Sequence, residues 1–510
     1  MWDKFPNLTS DMINHLLVLG GGSAGFLAAI TVKHRNPDLR ITVLRSKDIG
    51  IIGVGEGTTV PVLNHLHGYL RMDFTDFHRI AQPTWKLGIR FLWGPRPYFD
   101  YGLSRQLDIH YDGMTKVIGF YLDDVPDFGF ASFLMTHNTV FPRRGDGLPH
   151  ITQDPAYHIE NEHFVAFLEK YAAQLGIEIL DGTVVEVVQD EAGIAGLRLD
   201  SGQMLTADLY VDSSGFRSLL LGQTLQEPFA SFKSSLFCDR AVVGGWQRTD
   251  EPIKPYTTAE TMTTGWCWQI DHEFRINRGY VYSSDFIGDD EAEREFRGKN
   301  PKVSQTRVVK FRTGRYERSW VKNVVAVGNA AGFVEPLEST SLGIICLDSH
   351  ALAEALADCD REPRPTVVRQ YNRRTAIMWE ITREFLALHY KFNKRLPTPF
   401  WKACLEKTDL RSAQEFVEFY QENGPSTLWR PTIIDPRNPF GFEGYLSMML
   451  GMNIAYRKTF TLPPRELKVR DAIYQKLELA ARGGTTVKET LDWIRKPGWQ
   501  WPGNIYRPAQ

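Results

Sequence analysis

Between His15 and Leu19 the chain is almost wholly apolar, and the run breaks at Gly20. Phe26, Leu27, Ala28, Ala29, Ile30 and Val32 then recur at helical spacing, and apolar positions alternate from Leu39 to Leu44. A short continuous apolar run predicts a buried strand, the helical spacing a helix packed on it, and the alternation a second strand. The chain thus opens as strand, glycine turn, helix, strand. Farther on, Trp85 to Tyr101 predicts a strand followed by a Pro-Gly turn, and residues 162 to 174 an amphipathic helix. Short strands with turns at Asp181-Gly182 and Ser201-Gly202 fill Ile177 to Leu209, and a second strand-rich block covers about residues 236 to 313. Beyond Leu342 helical periodicity dominates to about residue 390, and the remainder mixes helices with Pro-rich loops. No internal repeat or low-complexity tract interrupts this order.

A chain of 510 residues exceeds one simple core, so we expect a large first unit, residues 1 to 390, and a mostly helical lobe, residues 391 to 510. A formal charge of −2, with both signs interspersed, gives no basic stripe for phosphate backbones, which argues against nucleic acid as a partner. The five cysteines, Cys238, Cys267, Cys346, Cys359 and Cys404, have no paired spacing, so neither a disulfide framework nor a metal site is expected. The N-terminus carries Asp3 and Asp11 and reads neither as a signal peptide nor as a membrane span. A cytoplasmic protein without membrane contact is the expectation. Aromatic residues make up 12% of the chain, with 13 Trp, enough for some to line a cavity for a flat ligand.

Gly20, Gly22 and Gly25, with Ser23 and Ala24 between them, form GxGxxG between the first strand and helix. There the glycines allow a tight turn, close approach of backbone N–H groups to a pyrophosphate, and close packing of helix on strand. The acid expected about twenty residues on, at the end of the second strand, is Arg45 here, so ribose is contacted differently or Arg45 reaches a phosphate or the adenine. Two further strands end in small-residue turns, at Asp212-Ser-Ser-Gly215 and at Gly328-Asn329-Ala-Ala-Gly332. The three elements together resemble FAD enzymes of the aromatic hydroxylase superfamily, though Asn329 stands where that superfamily usually has Asp.

Gly53-Val54-Gly55-Glu56-Gly-Thr58, Trp85-Lys86-Leu-Gly-Ile-Arg-Phe91, Gly265-Trp266-Cys-Trp268-Gln-Ile270 and Phe333-Val-Glu-Pro-Leu-Glu338-Ser-Thr340 occur in that order. This set resembles the motifs of flavin-dependent tryptophan halogenases over roughly the first 400 residues, with echoes at His389-Tyr390 and Thr398-Pro-Phe-Trp401. Asp271 stands where the family normally has Pro after its Trp-x-Trp-x-Ile element. The resemblance implies an α/β fold: a Rossmann-like FAD core of the aromatic hydroxylase type, an antiparallel substrate sheet and a helical C-terminal lobe. It implies bound FAD, supplied as FADH2, and a halide ion. In the family a flavin C4a-hydroperoxide oxidises halide, and hypohalous acid passes down a tunnel to a lysine.

Lys86 matches that lysine and Glu338 the catalytic glutamate. A protonated Lys86 would hydrogen-bond hypohalous acid and polarise it, whereas a neutral one would form a haloamine. The neutral route needs burial to lower an ordinary pKa of about 10.4 by about 2 to 3. Glu338 opposes such a fall, which favours the hydrogen-bonding role; Glu338 would also accept the proton of the arenium intermediate. Thr340 and Ser341 match the halide site, with Ser341 where a Gly is common. Trp266 and Trp268, at i and i+2 of a strand, share a face and are expected to wall the tunnel. Tyr157 and His158 read as packing residues.

At the substrate end, family members specific for tryptophan sandwich the indole with aromatics from a loop near residue 100 and from the C-terminal region. This chain offers Phe99 and Tyr101 in the first and Phe442 in the second, without a tryptophan at the matching place. We therefore expect an indole or other electron-rich arene, free or carried in a larger molecule; bromination is expected over chlorination because bromide is the more easily oxidised. A single dinucleotide motif implies that FADH2 arrives by diffusion from a separate flavin reductase; a homodimer is left open. Two rival readings remain at this point: an FAD-dependent aromatic monooxygenase, and a non-catalytic flavin-binding protein.

Overall fold

The architecture is a computed structural model that describes residues 12–502 apart from 48, 50–54, 104–112, 114–128, 153–154, 428, 436 and 458–460. The opening pattern folds as expected: β1 (His15–Leu19), α1 (Ser23–Arg35) and β2 (Arg40–Arg45), with Leu16, Leu17 and Val18 fully buried. Strand β1 pairs in parallel with β2 on one side and with β9 (Leu209–Asp212) on the other. Parallel strands with both faces covered are apolar throughout, which is why β1 carries no alternation. The sheet runs β15 (Trp320–Val321), β16 (Val324–Ala326), β9, β1, β2, β8 (Glu178–Asp181), all parallel except the β15–β16 pair. All three sequence motifs assigned to the cofactor therefore end neighbouring strands of one sheet, the place where open α/β sheets bind ligands.

The second strand-rich block forms a seven-stranded sheet in the order β14 (Thr306–Lys310), β10 (Arg240–Gln247), β13 (Arg275–Tyr282), β12 (Gly265–Asp271), β11 (Tyr256–Met262), β5 (Gly88–Leu92), β6 (Phe99–Gly102). Its pairs are antiparallel except β11 with β5. Chain order alone did not reveal that β5 and β6 join it. Nor did the alternation reveal the helix Asp289–Lys299 inside the block, which is strongly charged and buries only Ala292 and Phe296. A separate small sheet pairs β3 (Glu56–Gly57) and β4 (Thr84–Lys86) antiparallel on either side of β7 (Ala156–Ile159).

Helix α2 (Asn161–Gln174) packs beside α1, and α3 (Ser341–Asp358) covers α1. The boundary expected at residue 390 falls inside α4 (Pro365–Phe392). Residues from both sides of it share cores: Phe91, Trp266 and Phe385 lie in one cluster with Phe442, Tyr445 and Met449, and Ala481 and Leu491 join the cluster of α1. Among the described residues no helix is long and apolar enough to cross a membrane.

Candidate active site

Glycine geometry shapes the cofactor end. Gly20 has φ +123°, and a Cβ on Gly25 would lie 2.0 Å from the Gly20 carbonyl oxygen, so α1 can pack against the turn only without side chains. Gly22, the N-cap of α1, and Gly215 have open space where a Cβ would project. No side chain caps α1, and its first turn holds no acid, leaving the N-terminal N–H groups available to an anion. These groups border a cavity of about 790 Å³ that runs past Gly20, Gly22, Ser23, Ala24, Gly55, Glu56, Gly215 and Asn329 to Phe333, Ser339 and Ser341. A cavity of this size bordered by an uncapped helix N-terminus fits a dinucleotide flavin. Gly53 and Val54 lie outside the described residues.

Other expected cofactor residues take different positions. Asp212 is fully buried and does not border the cavity: its carboxylate accepts from Ser214 N and Oγ and from the N–H groups of Leu220 and Leu221, anchoring the turn that presents Ser213 to Arg217 to the cavity. Gly328 has φ +60° and lies against Ala24, where a Cβ would be 2.9 Å from the Ala24 Cβ. The Glu56 carboxyl accepts from Asn161 Nδ2 at 2.7 Å, and burial raises its pKa despite that bond. Arg45 donates to Glu169, on α2, and to Asp181 at 3.0 Å; it borders the cavity, and so does Glu169. Two carboxylates thus engage the arginine that stands in the usual acid's place.

The period of β4 sends Thr84 and Lys86 to one face and Trp85 to the other, where Trp85 packs against Phe141 and His78. Ala156 faces Lys86 across the strand pair and leaves room for its stem. Lys86 is fully buried; its Nζ donates to the Thr58 carbonyl at 3.0 Å and to Ser339 Oγ at 2.8 Å. Burial lowers its pKa from 10.5 to about 7, against the pull of Glu338 in the opposite direction. Desolvation therefore outweighs the carboxylate, reversing the balance expected from sequence.

Glu338 closes the turn Pro336–Glu338, and Ser339 follows in the left-handed region at φ 57° before α3 begins at Ser341. Glu338 is buried, with Oε1 2.7 Å from Nε2 of His389, whose Nδ1 lies 2.9 Å from the Phe385 carbonyl. Thr340 Oγ1 is buried with no hydrogen-bond partner among the described residues, and neither Thr340 nor any other side chain caps α3. Ser341 borders the cavity, so the N-terminus of an 18-residue helix faces it.

Trp266 and Trp268 belong to the same buried cluster, with ring centroids 6.0 Å apart. Only Trp268 borders the cavity, its indole filling the space beside Gly279. Asp271, in the place of the family's Pro, forms a buried ion pair with Arg248 at 2.8 Å. Arg248 in turn donates to the carbonyls of His272, Glu273, Glu251 and Pro252, so the substitution holds two turns together. His158, on the Thr84 face of β7, lies 2.9 Å from Thr257 Oγ1, while Tyr157 packs against Phe77.

Phe99 stacks on Phe91 at 5.1 Å, Tyr101 approaches Phe385 at 6.0 Å, and Phe442 meets Phe416 edge-on at 5.5 Å. None borders the large cavity, but all three share one core with Trp266 and Trp268. Most of the loop after residue 103 lies outside the described residues.

The family model for tryptophan halogenases matches residues 15–462. The chain is a member of the tryptophan halogenase family. Tryptophan 6-halogenase ThaL of Streptomyces albogriseolus is 33% identical over 446 residues, 82% of this chain and 83% of the relative. Among solved structures, this halogenase resembles MibH, a lanthipeptide tryptophan 5-halogenase, with TM-score 0.87, 36% identity and coverage of 96% of this chain and 94% of MibH. It also resembles Tar14, a tryptophan C-6 flavin-dependent halogenase (chlorinase), with TM-score 0.84, 30% identity and coverage of 95% and 100%. The protein is a flavin-dependent halogenase with the α/β fold of that family. Sequence reasoning passed over three groups of its centre. Ser339 sits inside a quoted motif between two assigned residues, His389 appeared only as an echo, and Glu169 carries no local pattern.

Proposed function

We propose that this halogenase uses FADH2, oxygen and a halide to halogenate an indole or another electron-rich arene, free or carried in a larger molecule. The observation that carries the reading is a wholly buried lysine hydrogen-bonded to a residue of the cavity wall: Lys86 to Ser339. Bound FADH2 supplies the two electrons with which oxygen becomes able to oxidise halide to hypohalous acid. The glycine turns hold the cofactor, and Gly53 and Val54 are proposed to contact it as well. The uncapped N-terminus of α3, at Thr340 and Ser341, favours the halide through its N–H groups.

Lys86 receives the hypohalous acid. With a pKa of about 7, it has both forms available near neutrality: an ammonium that donates to the oxidant and an amine able to take the halogen. Trp268 walls the cavity, and Trp266, Phe99, Tyr101 and Phe442 form the aromatic core beside it that shapes the place of the arene. Glu338 accepts the proton that leaves the ring. The carried form of the substrate gains support from the likeness to MibH, a lanthipeptide tryptophan 5-halogenase.

Reductant comes from a separate flavin reductase in the cytoplasm, by diffusion, and bromide is turned over faster than chloride because it is more easily oxidised. The test supplies the purified protein with reductase-generated FADH2, oxygen, halide, and either indole or a tryptophan-containing peptide. Mass spectra should show halogenated product, and oxygenated product alone overturns the reading.

A further inference from the structure

Two hydrogen bonds fix the protonation of His389. Its Nδ1 lies 2.9 Å from the Phe385 carbonyl oxygen, and only a protonated Nδ1 is stable there, because two lone pairs would repel. Nε2 then faces Glu338 Oε1 at 2.7 Å, where two lone pairs would also repel, so a proton must lie between them. Whether this is an imidazolium beside a carboxylate or an imidazole beside a carboxylic acid, one proton is shared and the pair is neutral overall. That neutrality suits two side chains exposed by 0% and 1%.

The geometry points to His389 as the positioning residue behind Glu338, sharing that proton and taking it up as Glu338 removes the proton from the halogenated ring. The inference rests on the proposed halogenation. Glu338 bonds to His389 through Oε1, which leaves Oε2 for the ring. When the arenium C–H bond breaks, its electron pair restores aromaticity and its proton goes to Oε2. The shared proton passes fully to Nε2, so the product state is a neutral carboxylic acid beside an imidazolium. A carboxylic acid alone would be a poor base; with an imidazole to receive its first proton it accepts a second. Asn, Ser or Trp would satisfy a buried carboxylate equally well as a hydrogen-bond donor, but none could accept that proton.

Aromatic rings pack around His389, while Glu335, three residues before Glu338, is a further buried acid on the same segment. Phe91 from β5 and Trp93 just after it present rings to His389, and from α4 Phe385 does the same. Its chain neighbour Tyr390 points its hydroxyl to Cys238, and Lys86 acts on the pair electrostatically through Glu338.

The test compares wild type with His389→Gln and His389→Asn, using an indole substrate with hydrogen or deuterium at the halogenated carbon. Halogenation by the wild type should show no isotope effect, because ring deprotonation is fast. In both variants kcat should fall by about 10- to 100-fold, KM should hold, and deuterium should slow the reaction, since deprotonation now limits it. A fall in kcat without an isotope effect, or a matching rise in KM, overturns the inference and leaves His389 a packing residue. FAD binding by the variants monitors folding. In the wild type, 15N spectra of the imidazole should show Nδ1 protonated, and an unprotonated Nδ1 overturns the inference without any substitution. Wild-type protein that halogenates no arene at all overturns the underlying reading as well.

Discussion

Ser339 joins the buried ammonium to the cofactor cavity: its Oγ accepts from Lys86 Nζ at 2.8 Å while its own residue forms part of the cavity wall. Lys86 therefore stands one side chain away from the cavity proposed for the cofactor. Replacing it by alanine should abolish arene halogenation, by about 10³-fold or more, as expected when a group that meets the reagent only at the reacting step is lost. Flavin oxidation and release of hypohalous acid should continue. Monochlorodimedone added as a trap reads the released oxidant, and loss of that release in parallel with halogenation would remove Lys86 from the transfer step.

Ser339 itself makes a narrower prediction. Its φ of 57° suits glycine better than serine, so Ser339→Gly relieves the backbone while deleting the hydroxyl. This variant should fold at least as well as wild type, bind FAD normally and lose about 10-fold in halogenation through misplacement of Lys86. Thermal unfolding and product yield measured together test it: normal yield would show that the hydroxyl does not position the lysine.

Much of this centre could be read from residue order because local rules fix its parts. The glycine turn after β1 and the small-residue turn after β16 follow from backbone space, and both reached the same cavity. The partners across the sheets could not be read, since nothing local to Arg45 indicates Glu169 on α2, and nothing local to Glu338 indicates His389 on α4. The sign of one balance also escaped. Sequence shows that Lys86 and Glu338 are both present but not that every atom of Lys86 is withdrawn from water, and burial decides its pKa. Phe99, Tyr101 and Phe442 were legible as aromatics, but their burial together in one core depends on partners far along the chain that no local pattern specifies.

Glu169 offers a test of the cofactor end. Held by Arg45 at the cavity wall, it is placed to supply the carboxylate that β2 lacks, and the ribose hydroxyls of the adenosine half are its natural partners. Glu169→Ala should weaken FAD about 10-fold, the worth of a charged hydrogen bond, while leaving riboflavin and FMN, which lack that ribose, unaffected. Flavin fluorescence titration distinguishes the cases. Equal weakening of all three flavins would assign Glu169 to the fold of α2 instead.

Halide preference separates oxidation chemistry from site geometry. If ease of oxidation governs, equal concentrations of bromide and chloride should give mainly brominated arene. Ser341 at the first turn of α3 is the residue placed to alter this, because it borders the cavity where the helix N-terminus would meet the ion. Ser341→Gly should shift the product ratio without changing FAD affinity. A competition assay that yields mainly chlorinated product, in line with the chlorinase Tar14, would show that the site overrides redox ease.

Stability against pH gives the last prediction, and its sign follows from the depressed pKa of Lys86. In the unfolded chain the amine has its ordinary pKa of 10.5, and in the folded protein about 7. Between those values the unfolded chain binds a proton that the folded one lacks, so this group's contribution to stability rises with pH through the window and levels off above it. Below pH 7 both states are protonated and the fold carries the full burden of a buried ammonium, roughly 3 to 5 kcal/mol. Lys86→Met removes that charge and keeps most of the volume, at the loss of hydrogen bonds to Thr58 and Ser339 of about 1 kcal/mol each. The variant should therefore be more stable than wild type at pH 6, by roughly 1 to 3 kcal/mol, and no more stable at pH 10. Urea unfolding at the two pH values measures the difference, and an equal change at both would mean that the lysine is not buried as a charge.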